Sequence, residues 1–261
     1  MTSRLNIPNS VMENSLQFSD VLSAVTVDCK DNGKEFVVTE RIGAIERLLD
    51  GTPYVLIARE PLALLFAKRE PQENEKVVLV SSHIDCVYSS CFCSDNGECF
   101  EGTFDNSFGN AAVLWCMLND MLPANVVVAF TGDEEKDSRG VYQVLEALKK
   151  YGCELSCAIV QDVTNVGWES RALFTIENDC GIDLITAYNM VSLLEPYNGK
   201  FAFRHYAEPD ESWDYAECGV PCFTLCAPVG GNLHGDEGVL LRKESAAEYC
   251  NVLAHIANVV S

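Results

Sequence analysis

At 261 residues the chain is long enough for one large α/β domain, and length alone permits two. Its 39 acidic against 18 basic side chains give a formal net charge of −21. Such a surface repels a phosphate backbone, so neither nucleic acid nor an anionic membrane is an expected partner. Hydrophobic residues at 48% and charged ones at 22% are the balance of a globular protein, no run reaches the roughly 18 apolar residues of a membrane span, and Met1–Ser10 lacks the apolar centre of a signal peptide.

Apolar residues at helical spacing predict a helix over Thr39–Leu49, stopped by Asp50-Gly51. Two strand-like runs follow, Tyr54–Ala58 and Leu62–Ala67, joined by a turn with Pro61. Lys76–Ser81 is a continuous apolar run, the pattern of a strand buried on both faces, and it ends just before His83. Asp95-Asn96-Gly97 signals a hairpin turn. Helices are expected at Phe108–Met121, Gly140–Tyr151, Ile182–Leu194 and about Glu244–Val259, and strands at Asn125–Thr131, Cys157–Val160, Ala172–Ile176 and Pro221–Cys226. This alternation predicts an α/β fold of three layers, α/β/α, around a mixed, mainly parallel sheet. No repeat or linker divides the chain, so residues 1–261 are expected to form a single catalytic domain. Ligands of such sheets bind beyond the carboxyl ends of the strands, where His83, Glu134, Glu135 and Asp162 fall.

The types and number of residues at those ends point to metal chemistry. Zinc takes imidazole nitrogen and carboxylate oxygen, and a catalytic ion keeps one position open. Two ions about 3.5–4 Å apart, each with about three ligands and one ligand shared, need five protein ligands. Five candidates are present: His83, Asp105, Glu135, Asp162 and His234. Asp85, two residues beyond His83, suits the role of the carboxylate that fixes the tautomer of a metal-binding imidazole. Of the neighbours Glu134 and Glu135, one can bind metal while the other takes the proton of an attacking water.

These fragments resemble the superfamily of co-catalytic zinc exopeptidases, which includes bacterial leucyl aminopeptidases. They are Ser-Ser-His83-Ile-Asp85, Gly-Thr-Phe-Asp105-Asn, Thr-Gly-Asp-Glu134-Glu135, Ile-Val-Gln-Asp162 and Gly-Gly-Asn-Leu-His234, spread in order from Val78 to Glu237. The resemblance implies that Asp105 bridges the metals, that one ion takes His83 and Asp162, and that the other takes Glu135 and His234. It implies Glu134 as general base acting on a metal-bridging hydroxide, and a cis peptide at Asp105–Asn106. Gly219–Leu225 is similar to the strand leading to the last histidine. The implied cofactors are two divalent ions, zinc first, with cobalt or manganese as alternatives. The implied activity is hydrolysis of the amino-terminal peptide bond. Only 20 positions separate Asp85 from Asp105 and 72 separate Asp162 from His234, too few for the lid domain of some relatives. The chain is therefore similar to the compact type, with a peptide or N-acyl amino-acid substrate and a monomeric or small homo-oligomeric state. Rival readings are a deacylase or carboxypeptidase-like amidohydrolase on the same ions, and a catalytically silent binding protein.

Thirteen cysteines, without an export signal, read as reduced thiols of a cytoplasmic protein. Cys86, Cys91, Cys93 and Cys99 lack the paired spacing of a zinc knuckle and are better explained as free thiols around a hairpin. Asp28–Gly33 fails as a calcium loop, because Lys30 fills a ligand position and Thr39 stands where a glutamate belongs. Pro228–Asn232 lacks the lysine of a phosphate loop, and its glycines are expected to shape the turn that delivers His234. Asp236 and Glu237 read as surface charge, His255 as structural, and His205 as a residue on an unplaced loop. The run Glu208–Asp214 reads as a solvated loop. The resemblance implies that one of its acids, Asp210, Glu211 or Asp214, supports the metal site.

Overall fold

The computed structural model describes residues 16–260 apart from positions 31, 33 and 37–39. The amino-terminal Met1–Ser10, Asp31 and Gly33 of the Asp28–Gly33 run, and the helix start expected at Thr39 lie outside the described residues. In chain order the elements are helices α1 (Phe18–Val25) and α2 (Glu40–Leu49), then strands β1 (Val55–Glu60), β2 (Ala63–Ala67) and β3 (Lys76–His83). A hairpin of β4 (Cys93–Asp95) and β5 (Cys99–Gly102) precedes α3 (Ser107–Leu118), β6 (Val126–Thr131), α4 (Arg139–Lys149), β7 (Glu154–Thr164) and β8 (Phe174–Cys180). The chain continues with α5 (Leu184–Leu193), a 3₁₀ turn (Glu195–Tyr197), β9 (Phe201–Arg204), α6 (Glu211–Glu217), β10 (Cys222–Gly231), β11 (Val239–Arg242) and α7 (Lys243–Val259).

The sheet is parallel at its centre, where β6, β3, β7 and β10 lie side by side. Antiparallel β1 and β2 extend one side through β6, and β8 pairs antiparallel with β10 on the other, carrying β9 beyond it. The last three residues of β10 leave this sheet and pair with β11, which continues into β5 and β4. Side chains alternate across each strand, so the apolar run of β3 feeds two cores. Val78 and Val80 face one core, packed with residues of α1, α2, α3 and α7 such as Val21, Ile45, Phe108 and Leu253. Val77 and Leu79 face the other, against Val141, Val144 and Leu148 of α4 and Tyr215 of α6. Helices on both faces of a mixed sheet make the three layers. Among the described residues no helix is long and apolar enough to cross a membrane.

The structure departs from the sequence reading in four places. β7 runs through Asp162 to Thr164, so that residue sits inside the strand and not just after it. β10 continues through the stretch Pro228–Gly231 expected to turn. Gly230 is there because a Cβ would fall 2.2 Å from the Trp168 ring, so this glycine admits an aromatic cover and shapes no turn. The acidic run expected to be a loop becomes α6 from Glu211 onward. Elements α1, β9 and β11, each short, were not foreseen.

Candidate active site

The parallel strands deliver the site at their carboxyl ends. His83 is the last residue of β3, its ring almost wholly buried, and its carbonyl accepts 2.7 Å from Asn110 Nδ2 of α3. Nδ1 faces Asp85 Oδ1 at 3.5 Å. Nε2 faces three carboxylates: Asp105 Oδ1 at 3.2 Å, Glu134 Oε2 at 3.8 Å and Asp162 Oδ1 at 3.8 Å. Neither ring nitrogen has a hydrogen-bond partner of proper geometry, although both are buried. The second oxygen of Asp105 lies 3.3 Å from Nε2 of His234, which in turn lies 3.9 Å from Glu135 Oε2. Asp105 thus stands between the two histidines, one oxygen toward each.

Local geometry explains why these side chains converge. The Asp105–Asn106 peptide is cis. Asn106 then caps α3, accepting from Gly109 N at 2.9 Å, and its amide donates 2.6 Å to the Gln161 carbonyl beside Asp162. After β6 the chain turns through Asp133 at φ 69°. Its carbonyl accepts from Asp137 N and Ser138 N at 3.0 and 2.7 Å, and its buried carboxylate accepts from Arg139 Nε and Nη2 at 2.6 and 3.0 Å. This braced turn presents Glu134 and Glu135 side by side. Asp85 Oδ2 also accepts from Glu135 N at 3.3 Å, tying the orientation of His83 to that turn.

The electrostatics are those of a site short of cations. Burial, with Asp162, Asp105 and Glu135 adding like charge and His83 opposing, pushes Glu134 up to about 9. Burial and neighbouring Asp105 push Glu135 up to about 7, and burial raises Asp162 to about 6. Burial works against Asp105 as well, but the imidazoles of His234 and His83 hold it down at about 2. Burial opposes the charged form of His83, yet Glu134, Asp105, Asp162 and Asp85 together keep its pKa well above the usual value. Donor atoms of His83, Asp105 and Asp162 lie within 4.8 Å of one another, and so do those of Asp105, Glu135 and His234. A further grouping joins His83, Glu134 and Glu135. Imidazole nitrogen and carboxylate oxygen in two triads that share one carboxylate fit a pair of divalent ions.

The same arrangement of sheet and helices occurs in solved structures. A TET aminopeptidase from a marine sediment archaeon of the Thaumarchaeota matches with a TM-score of 0.71 at 10% identity, over 93% of this chain and 98% of that one. The LapA aminopeptidase of Legionella pneumophila matches at 0.61 and 11% identity, over 100% of this chain and 80% of that one. A Thermotoga maritima protein described as an endoglucanase matches at 0.60 and 16% identity, over 95% and 100%. The chain has the fold of these aminopeptidases. No family model and no curated protein matches the sequence, so the likeness is one of fold.

All seven expected residues lie around one site. Asp105, Glu134, Glu135, Asp162 and His234 line a cleft of about 520 Å³, with His83 and Asp85 buried beneath them. The three undecided acids separate cleanly. Asp210 caps α6, accepting from Ser212 N at 2.8 Å, and also accepts from Thr224 Oγ1 at 2.6 Å and Asn178 Nδ2 at 3.2 Å. Glu211 is fully buried, and its Oε2 accepts 2.9 Å from Ser81 Oγ, which also contacts Tyr215 Oη at 3.1 Å. Burial pushes Glu211 up to about 7 against the opposing pull of Thr131, His83 and Ser81. Asp214 accepts from Tyr142 Oη on the outside of the fold.

Sequence reasoning missed Ser81, Tyr88, Asn110 and Tyr215. Tyr88 Oη donates 2.5 Å to the Leu233 carbonyl next to His234 and accepts from Asp105 N at 3.3 Å, so one phenol fixes both the shared carboxylate and the exposed histidine. Asp236 is more than surface charge: it accepts from Ser89 N at 2.8 Å and Ser89 Oγ at 2.5 Å, joining the same two loops. His205 pairs with Asp179 on the surface, and His255 is exposed on α7.

Proposed function

We propose that the chain is a metal-dependent aminopeptidase, cleaving the amino-terminal peptide bond of peptides in a single lidless domain, as a monomer or small homo-oligomer. The observation that carries this reading is the placement of Asp105, with one oxygen toward His83 and the other toward His234. His83 and Asp162 would hold one ion, Glu135 and His234 the other, and Asp105 both; zinc suits this donor set best, and cobalt or manganese would also fit. Bound there, two such ions supply Lewis acidity toward the peptide carbonyl and lower the pKa of a water.

The chain's own residues do the rest. Glu134 lines the cleft beside the triads without belonging to the two that share Asp105. It takes the proton of the attacking water and returns it to the leaving amine. Asp85 keeps Nδ1 of His83 protonated, leaving Nε2 as donor. Tyr88 holds the His234 loop at the working distance.

The test is hydrolysis of an unblocked peptide and its acetylated form by zinc-loaded protein, before and after chelation. Release of the amino-terminal residue from the unblocked form alone, lost with the metal and restored by zinc, is the expected result. Equal cleavage of the acetylated peptide would instead indicate a deacylase or other amidohydrolase. No cleavage of either would leave a binding protein. Glu134→Ala should bind zinc and lose turnover, and an active variant would sink the mechanism.

A further inference from the structure

Thirteen cysteines are free, and most are held apart or sealed in the core. Cys116 and Cys250, for example, interact through their thiols but are both sealed in the core. One pair differs. Cys86 Sγ lies 3.9 Å from Cys91 Sγ, at the two ends of the loop that follows Asp85. The loop's ends are anchored: Cys86 N donates to the Cys29 carbonyl at 3.1 Å, and Cys91 N donates to Asp28 Oδ1 at 3.1 Å. A small cleft of about 280 Å³ lined by Lys30, Asp85, Cys86, Val87, Glu135 and Lys136 opens onto Cys86. Cys86 is 7% exposed, its thiol rests on the Cys29 carbonyl at 3.5 Å, and the approach for a small oxidant is through this cleft, from the side of the active site.

We propose that Cys86 and Cys91 form an oxidisable dithiol site, which takes a hydroperoxide and closes to a disulfide that disables the neighbouring catalytic centre. The thiolate of Cys86 attacks one peroxide oxygen, the O–O bond breaks, and the sulfur becomes a sulfenic acid as water or alcohol leaves. Cys91 sulfur then attacks that sulfur, the S–S bond forms, the S–O bond breaks and a second water leaves. Two thiols have lost two electrons and two protons, and the peroxide has taken them up. The neighbouring Cys91 thiol and the Arg41 guanidinium lower the pKa of Cys86 against the opposing effect of burial, which favours its thiolate.

The consequence follows from what the loop carries. The sulfurs must close from 3.9 Å to the roughly 2.05 Å of a disulfide. Within that span Tyr88 bonds the Leu233 carbonyl and the Asp105 amide, and Ser89 bonds Asp236. Asp85, which faces His83 and accepts from Glu135 N, immediately precedes it. A displacement of about 1 Å in a catalytic constellation costs on the order of 100-fold in rate. Drawing the loop tight shifts the supports of both histidines.

The test treats the full-length protein with hydrogen peroxide and maps it without reduction. Chymotrypsin cuts after Tyr88 and Phe92, which puts Cys86 and Cys91 on separate fragments and Cys93 on a third. Fragments ending at Tyr88 and Phe92 should be joined, separate on adding dithiothreitol, and stay separate in Cys91→Ser and Cys91→Ala. Exposed Cys218 reports that oxidant was delivered. Hydrolysis of an unblocked peptide should fall about 10-fold or more on oxidation and recover on reduction, while both Cys91 variants keep their rate in peroxide. Oxidised Cys218 with Cys86 and Cys91 still reduced overturns the proposal. So does Cys86 joined to Cys29 or Cys93, or a Cys86–Cys91 bond that leaves turnover unchanged. The fragment map needs no turnover, so it stands whether or not the chain is an aminopeptidase.

Discussion

Asp210→Ala tests how the layer beneath the candidate metal ligands is held. Asp210 is the N-cap of α6, the short helix that carries Glu211 to Ser81 below His83. Losing the cap to Ser212 N costs about 1 kcal/mol. Thr224, wholly buried, loses the acceptor of its hydroxyl, and Asn178 loses one of the two acceptors of its amide. Together these add about 2 kcal/mol. Burial raises the pKa of Asp210 above the ordinary carboxylate range. Removing a partly desolvated carboxyl therefore returns some of that cost, and a net loss of about 2–3 kcal/mol is expected. Asp210→Asn keeps an oxygen for Ser212 N and should lose only about 1 kcal/mol. Urea unfolding followed by circular dichroism, at constant m-value, measures both. An alanine variant within about 0.5 kcal/mol of the parent, or an asparagine variant as unstable as alanine, would refute the capping argument.

Arg139→Ala leaves the buried Asp133 carboxylate without its guanidinium; because Arg139 is 44% exposed, the loss should be about 1–3 kcal/mol, below that of a wholly buried pair. Its loosened turn should lower kcat more than it raises KM, and unchanged kinetics would show that Glu134 and Glu135 do not depend on it. Arg41 is fully buried and donates to the carbonyls of Ile84 and Val27 at 2.8 and 2.9 Å, so Arg41→Met should cost about 2–4 kcal/mol in urea unfolding by stranding both. The metal-free protein should lose stability as pH rises from about 5 to 9, because Glu134, Glu135, Asp162 and His83 have raised pKa values and the folded state there holds more protons than the unfolded one. Zinc, which binds the deprotonated carboxylates, should reverse the slope; a metal-free Tm higher at pH 8.5 than at pH 6 contradicts this.

Most of the candidate site residues were legible because they stand beside a local signal. His83 follows a strand buried on both faces, and Asp105 precedes Asn106, the N-cap of α3. Glu134 and Glu135 follow a second buried strand, β6. The parallel sheet and both helical layers followed from alternation alone. What failed was whatever depends on contacts distant in sequence. Pro228–Gly231 reads as a turn, and only the Trp168 ring and the partner strand β11 show why it is extended. Glu211 sits in a run of four acids that any local reading puts in solvent. Its burial is imposed by Ser81, 130 residues away, and by Tyr215 packed against α4 and β3.

The placement of acids also bears on the net charge. A carboxylate removed from water is costly unless something compensates it. Among the described residues Asp133 is compensated by Arg139, and Asp210 by four side-chain or backbone donors. Asp105, Glu134, Glu135 and Asp162 face two imidazoles, one of them exposed, and Asp162 also accepts from Val163 N at 2.8 Å. Four carboxylates so arranged either hold protons or hold cations. Glu134, Glu135 and Asp162 are pushed up, while Asp105, the one facing both histidines, is pushed down. The carboxyl that stays ionised even without metal is thus the one that the proposed pair of ions would share, and its neighbours would release their protons on binding them.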